Sequence, residues 1–234
     1  MTMVKVFSAR APQVALDQLF SEFTRETGHD VAAAYGTVGA IGDRFRGGEP
    51  ADVVILSASA VAALNQSFIA ESCADIARAG LAVAVRAGAR SPNISSPDAF
   101  KATLIAARSI SYSDPKAGGS AAAYFVKLID QLGIAEAVNA KAILGRNGHH
   151  VAELTARGDV ELGISFLSEL VAIDGVRVIG MLPRDLQNYT VYAAAVSTKV
   201  QAREPAFALV KWLTRPAARE KWIAAGLEPM PGRQ

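Results

Sequence analysis

The sequence predicts an α/β protein built on mainly parallel sheets. Three observations carry that prediction. Short apolar runs alternate with segments of helical periodicity, and glycine, proline or hydroxyl residues punctuate nearly every junction. There is also no internal repeat and no low-complexity segment. With 234 residues, 51% hydrophobic and 20% charged, the chain is long enough for one large domain or two smaller lobes.

Taken in order, Val4 to Ser8 reads as a buried strand, and Pro12 suits the first turn of a helix, where a missing N–H costs nothing. Val14, Leu16, Leu19, Phe20 and Phe23 recur at helical spacing, and Gly28 ends that helix. Val31 to Tyr35 is a strand. Thr37 is placed to cap a helix running through Phe45. Asp52 to Leu56 is a third strand, with Ser57 and Ser59 just beyond it. Leu81 to Val85 is a strand, Pro97-Asp98 opens a helix to Ala107, and Ser109 to Tyr112 is a strand. A loop from Asp114 to Ser120 leads into a helix over Ala121 to Leu132, stopped by Gly133. Lys141 to Leu144 is a strand, and Val151 to Ala156 a short helix closed by Gly158. Val160 to Ser165, Val176 to Ile179 and Tyr189 to Val196 are strands, and two helices broken near Pro216 finish the chain.

Composition excludes several function classes. Twenty-four basic residues against 22 acidic leave a formal charge of +2, with no Lys/Arg block to grip nucleic acid or a lipid surface. One cysteine, Cys73, cannot make an internal disulfide or a multi-cysteine metal site. The apolar stretch from Val53 to Leu64 is too short to span a bilayer. Lys5 and Arg10 flank a very short apolar run at the start, which lacks the pattern of a secretory leader. A cytoplasmic location is expected on that basis, or a periplasmic one if a leader has been removed. No Gly-x-Ser-x-Gly elbow, phosphate-binding loop or dinucleotide fingerprint is present, and no cofactor is expected.

In α/β sheets, ligands gather beyond the carboxyl ends of the strands. The turns there are small and polar: Ser8-Ala9-Arg10-Ala11, Gly36-Thr37-Val38-Gly39, Ser57-Ala58-Ser59 and Ala117-Gly118-Gly119-Ser120. Helix-start N–H groups lack intrahelical partners and favour negative charge, so converging turns of this kind make an anion pocket. Each turn alone is ordinarily no more than a cap. Arg10 is placed to clamp a carboxylate in bidentate fashion, and Arg146, in Gly145-Arg146-Asn147-Gly148, shares that chemistry; the common fate of either is a solvated surface arginine. His149 and His150 are adjacent and therefore diverge, and His29 is the remaining histidine, so no metal spacing is present. His149 is the one candidate general base, set against the commoner helix-start histidine facing water.

Val6-Phe7-Ser8-Ala9, Tyr35-Gly36-Thr37-Val38-Gly39-Ala40, Pro50 to Ile55, Asp114 to Ser120, Glu161 to Ser165, Tyr189 to Tyr192 and Trp212 to Ala218 follow one another in an order that resembles the periplasmic molybdate-binding proteins. More broadly, the chain resembles type II solute-binding proteins. That resemblance implies two α/β lobes with a ligand cleft between them and hinge closure around the ligand. Lobe 1 would comprise residues 1–82 plus 193–234, and lobe 2 residues 83–192. In molybdate binders a serine at the first helix start donates to the oxyanion; the resemblance puts Ala11 at that place, beside Arg10. The second serine place falls at Thr37 or Val38, and the family's tyrosine at Phe166, next to Ser165. A buried tetrahedral dianion needs every oxygen paired. These replacements therefore disfavour molybdate or tungstate and favour a carboxylate.

The expected ligand residues are thus Ser8, Arg10, Ala11, Thr37, Val38, Ser57, Gly118, Gly119, Ser120, Arg146, Ser165 and Phe166. The expected function is binding of a small anion, an organic di- or tricarboxylate, with no nucleic acid partner and no membrane insertion. An ABC permease would be a partner only of an exported protein. A signal-less branch of this family is similar to aconitate isomerase, and that resemblance implies the alternative: a cofactor-independent isomerase of an unsaturated carboxylate. A metabolite sensor that performs no chemistry is the third reading.

Overall fold

The computed structural model describes residues 2–231. In chain order the first half contains β1 (Met3–Ala9), α1 (Gln13–Thr27), β2 (Asp30–Gly36), α2 (Val38–Arg46), β3 (Val53–Ser57), α3 (Ala58–Ala63), β4 (Ala74–Arg86), α4 (Pro97–Ala106) and β5 (Ile110–Ser113). The second half contains α5 (Ser120–Gln131), α6 (Ala135–Asn139), β6 (Ala142–Gly145), α7 (Gly148–Arg157), β7 (Leu162–Phe166), α8 (Leu167–Leu170), β8 (Val176–Met181), β9 (Tyr189–Val196), α9 (Arg203–Thr214), α10 (Arg219–Ala224) and β10 (Glu228–Pro229).

The chain divides into two compact units. Unit 1 holds the residues up to Arg78 and those from Thr190 onward; unit 2 is Ala79–Tyr189. Both boundaries fall within strands, β4 and β9, a few residues earlier than the sequence places them.

In unit 1, β1 lies between β2 and β3 and pairs with both in parallel, Val6 opposite Ala33 on one side and Val53 on the other. β9 then joins β3 in antiparallel register, Ile55 opposite Ala194, and β10 pairs with the first part of β4 at Arg78. Unit 2 repeats the pattern. β5 is parallel to β6 and β7, β7 is antiparallel to β4 with Leu81 opposite Phe166, and β8 is antiparallel to β4 on its other side. Each unit therefore has a parallel three-stranded centre, as the sequence predicts, with antiparallel strands added to it.

β3 and β7 are buried at every position. That explains why β3 reads as a continuous apolar run up to Ser57 and why the residues between the large apolar ones of β7 are the small Gly163 and Ser165. α1 covers the unit 1 sheet with Leu16, Leu19 and Phe23, each fully buried. It ends at Gly28, whose φ of 72° is a left-handed conformation that glycine adopts without strain. In unit 2, Phe100, Leu104, Phe125 and Ile129 bury completely or nearly so. Burying each such side chain stabilises the fold by about 1.5–3 kcal/mol. α9 is fixed to α1 by Trp212, whose Nε1 donates to the Leu19 carbonyl at 3.1 Å and whose ring meets Phe23 edge-on at 5.6 Å.

Asp52 is a buried node in unit 1. Its carboxylate accepts from the backbone N–H of Lys5 at 2.9 Å, Gln201 at 2.7 Å and Ala202 at 3.2 Å. One acidic side chain thereby ties the start of β3 to β1 and to the segment before α9.

Three short helices, the two-residue β10 and part of β4 differ from the sequence expectation. α3, α6 and α8 span only 6, 5 and 4 residues, too few to show a helical period. β4 begins at Ala74 rather than Leu81, because Asp75 and Arg78 interrupt the apolar run that marks a strand.

Candidate functional site

In unit 1 the parallel strands end together at Ala9, Gly36 and Ser57, and a helix starts shortly after each. Two of these turns are tied by the Arg10 N–H, which donates to the Gly36 carbonyl at 2.9 Å. Thr37 Oγ1 accepts from the Ala40 N–H at 3.2 Å, capping α2 and leaving its O–H as a donor. Ser57 Oγ accepts from the Ala60 N–H at 3.3 Å and lies 3.2 Å from Ser59 Oγ. Val38 opens α2 and is half-buried, and Ala11 is buried.

Arg10 is half-buried and its Nη1 donates to Gln13 Oε1 at 3.2 Å. Among the described residues no carboxylate pairs with it. That leaves most of a planar donor fork for a carboxylate ligand. Ser8 is different from what the sequence suggests. It is fully buried, and its hydroxyl donates to the Ala9 carbonyl at 2.9 Å, so it supports the turn from behind. The end of β1 is buried on both faces, Phe7 and Ala9 as well as Ser8.

In unit 2 the parallel strands end at Ser113, Gly145 and Phe166. The Asp114 N–H donates to the Gly145 carbonyl at 2.7 Å, joining two of the turns. Asp114 also accepts from the Lys116 N–H at 2.9 Å and shapes the loop that Gly118 closes at φ 70°. Gly119 caps α5, and a Cβ added there would meet nothing within 4 Å, so that backbone faces open space. Ser120 begins α5 with its Oγ enclosed and, among the described residues, without a hydrogen-bond partner. The neighbouring Tyr112 hydroxyl is pushed above its ordinary pKa by burial and then by the Asp114 charge; it donates to Asn139 Oδ1 at 2.6 Å.

Arg146 is exposed, and its N–H donates to His150 Nδ1 at 3.1 Å. His150 Nδ1 is thereby an acceptor, which leaves the proton of a neutral ring on Nε2. Asn147 caps α7 by accepting from the His150 N–H at 3.0 Å. His149 is half-buried on the first turn of the same helix.

One group here was not anticipated. Glu169, in the short α8, is only 6% exposed and accepts from Ser165 Oγ at 2.7 Å. Its carboxylate lies directly against Gly148, the first residue of α7, where a Cβ would collide with it. Ser165 is fully buried and spends its hydroxyl on this carboxylate, and Phe166 is buried beside it. The one trace in the sequence is Ser165 and Glu169 four apart across a strand-to-helix junction.

A family model described as bacterial extracellular solute-binding protein matches residues 4–228. The chain belongs to that solute-binding family. A curated relative, aconitate isomerase from Pseudomonas sp, is 33% identical over 99% of this chain and 90% of its own length. Among solved structures, the periplasmic molybdate-binding protein of Azotobacter vinelandii superposes with a TM-score of 0.80 at 21% identity, covering 96% of this chain and 98% of that one. The sulfate-binding protein SubI from Mycobacterium tuberculosis H37Rv gives 0.78 at 18% identity, covering 98% and 88%. These likenesses establish the two-lobed periplasmic-binding-protein fold of the solute-binding family. Among the described residues no helix is long and apolar enough to cross a membrane.

Proposed function

We propose that this protein is a cofactor-independent isomerase that binds an unsaturated tricarboxylate of the aconitate type and shifts its double bond. The 33% identity to aconitate isomerase across 99% of the chain carries this reading. The turns support it chemically. In unit 1, Arg10 offers a guanidinium fork that no carboxylate of the described residues occupies, and Thr37 adds a hydroxyl donor at a helix start; in unit 2, Gly119 and Ser120 open a helix of their own, and each of these turns has donors suited to planar carboxylates. Ala11 and Phe166 supply no hydroxyl for the fourth oxygen of a tetrahedral dianion.

The reaction needs no redox partner. A C–H bond on the methylene carbon breaks, its electron pair enters the allylic system, and a proton is added to the other terminal carbon. The family membership favours a second reading, a carrier that binds the same carboxylates without chemistry.

One experiment separates them. Purified protein is incubated with cis-aconitate or trans-aconitate in heavy water and followed by NMR. Interconversion of the two isomers supports the isomerase; tight binding of both with no interconversion over hours leaves the carrier. A thermal-shift panel runs alongside. A ligand present at a hundred times its dissociation constant adds about 2.7 kcal/mol. Aconitates should shift the melting temperature and molybdate should not.

A further inference from the structure

We infer that Gln13 is a positioning residue for the turn after β1: its side-chain amide holds the Arg10 guanidinium in place while leaving it fully charged, and so sets that turn for a carboxylate. The assignment rests on the carboxylate reading above and holds for an isomerase and a carrier alike. One contact carries it, Arg10 Nη1 donating to Gln13 Oε1 at 3.2 Å.

The backbone around that contact is already fixed. The Arg10 N–H donates to the Gly36 carbonyl at 2.9 Å, and the Arg10 carbonyl accepts from the Gln13 N–H at 2.9 Å. Ala11 and Pro12 between them are buried, and the proline ring restricts its own φ. What the backbone leaves free at this turn is the long arginine side chain. An unrestrained arginine has to be ordered each time a ligand binds, and that ordering subtracts from affinity. Gln13 orders it beforehand. It does so from the first residue of α1, a helix of 15 residues anchored by the fully buried Leu16 and Leu19.

The chemistry of the partner matters as much as its position. Arg44, Arg157 and Arg215 face carboxylates: Glu49 at 2.8 Å, Asp159 at 2.8 Å and Glu22 at 3.3 Å. Those charges are answered within the chain. Arg10 is held by a neutral amide instead. A guanidinium only donates, so the amide turns its oxygen to Arg10, and the hydrogen bond adds no negative charge. Among the described residues the remaining guanidinium nitrogens have no hydrogen-bond partner and are not sealed from solvent. A carboxylate therefore meets a fork that is ordered, charged and open.

Gln13→Glu and Gln13→Met separate this role from a structural one. Glutamate has the shape of glutamine and pairs with arginine more strongly, so a residue that merely braces the turn is preserved or improved by that change. A positioning residue for a charged fork is not, because the introduced carboxylate occupies the fork and neutralises it. Trans-aconitate affinity, measured by calorimetry, should fall about two- to tenfold in Gln13→Met, the effect of releasing one long side chain. It should fall at least about tenfold in Gln13→Glu, where two like charges compete for one cation. Combined with Arg10→Ala, Gln13→Met should cost nothing further, since its effect passes through the arginine. Urea melts of both variants should show the wild-type fold; if one does not, the other decides. Gln13→Glu binding as wild type does, Gln13→Met with unchanged affinity, or a Gln13→Met loss that persists beside Arg10→Ala overturns the assignment alone. A wild type that binds neither aconitate isomer overturns the carboxylate reading, and this assignment with it.

Discussion

Gly148 and Glu169 fit together as a pair: a single methyl group on residue 148 would collide with Glu169 Oε2 and with Ser165 Oγ. The absence of a side chain at the start of α7 is what admits the carboxylate to that position. Glycine is otherwise a poor helix residue, about 1 kcal/mol worse than alanine in a helix interior.

Gly148→Ala is therefore expected to lower stability, by about 1–3 kcal/mol as in other overpacked sites. Gly42→Ala, inside α2, is the contrast. A Cβ there meets only Arg46 Nη2 at 3.9 Å, so helix propensity should win and add up to about 1 kcal/mol. Urea unfolding of the two variants should give shifts of opposite sign.

Arg10→Ala should weaken aconitate binding roughly ten- to a hundredfold, the equivalent of about 1.5–3 kcal/mol for a charge-assisted hydrogen bond. Folding should hardly change, because among the described residues Arg10 makes one side-chain hydrogen bond, to Gln13. Arg10→Lys should recover only part of the affinity, since an ammonium lacks the planar fork. Arg46, exposed and paired with Asp43 on its own helix, is the matched control. Calorimetry on the four proteins checks this; equal affinities for wild type and Arg10→Ala would leave Arg10 as a surface arginine.

Asp52→Ala should destabilise unit 1 without touching ligand chemistry. Three backbone N–H groups lose their acceptor, and each buried donor left unpaired costs about 1–3 kcal/mol. A loss of several kcal/mol in urea melts, with unchanged affinity per folded molecule, is the expected outcome. Asp52→Asn keeps one acceptor oxygen and should fall between.

The Glu22 carboxyl is held below the usual carboxylate range, first by its hydrogen bond from Lys221; burial opposes this, and the Lys221, Arg215 and Arg25 charges add to the lowering. Lys221 Nζ lies 2.8 Å from it and Arg215 Nη2 3.3 Å. A carboxylate with a depressed folded-state pKa stabilises the fold above its unfolded pKa and loses that contribution as pH falls through the folded value. The pair is partly solvated, so its worth is about 0.2–1 kcal/mol. Lys221→Met should cost that much at pH 7 in low salt and almost nothing at pH 3. A penalty that persists at pH 3 would assign the effect to the packing of the lysine stem.

Much of this molecule was legible in the amino-acid sequence, because its elements are set by local rules. Val53 to Leu56 is an unbroken apolar run, and Leu162 to Phe166 carries only the small Gly163 and Ser165 between its large apolar residues, both patterns of interior strands. The spacing of Leu16, Leu19 and Phe23 fixed one helix, and Gly28 and Thr37 marked the end of that helix and the start of the next. Arg10, Thr37, Gly119 and Ser120 were legible as turn residues at strand ends for the same reason: a helix start has unpaired donors wherever it occurs.

Tertiary structure decided what proximity alone can decide. Ser8 reads as a turn hydroxyl in the sequence; in the fold it is fully buried and donates to the Ala9 carbonyl, because β1 lies between β2 and β3 and its last residues are covered on both faces. β4 runs on past Arg78 and Asp75, whose charges hide a strand that its partners nonetheless complete. Glu169 stayed unseen because its character comes from Gly148, twenty-one positions away in the chain and in contact only once β6 and β7 lie on either side of β5. A sequence records which residues can hold a charge; which charge is buried, and beside which donor, is fixed by the long-range pairing of strands.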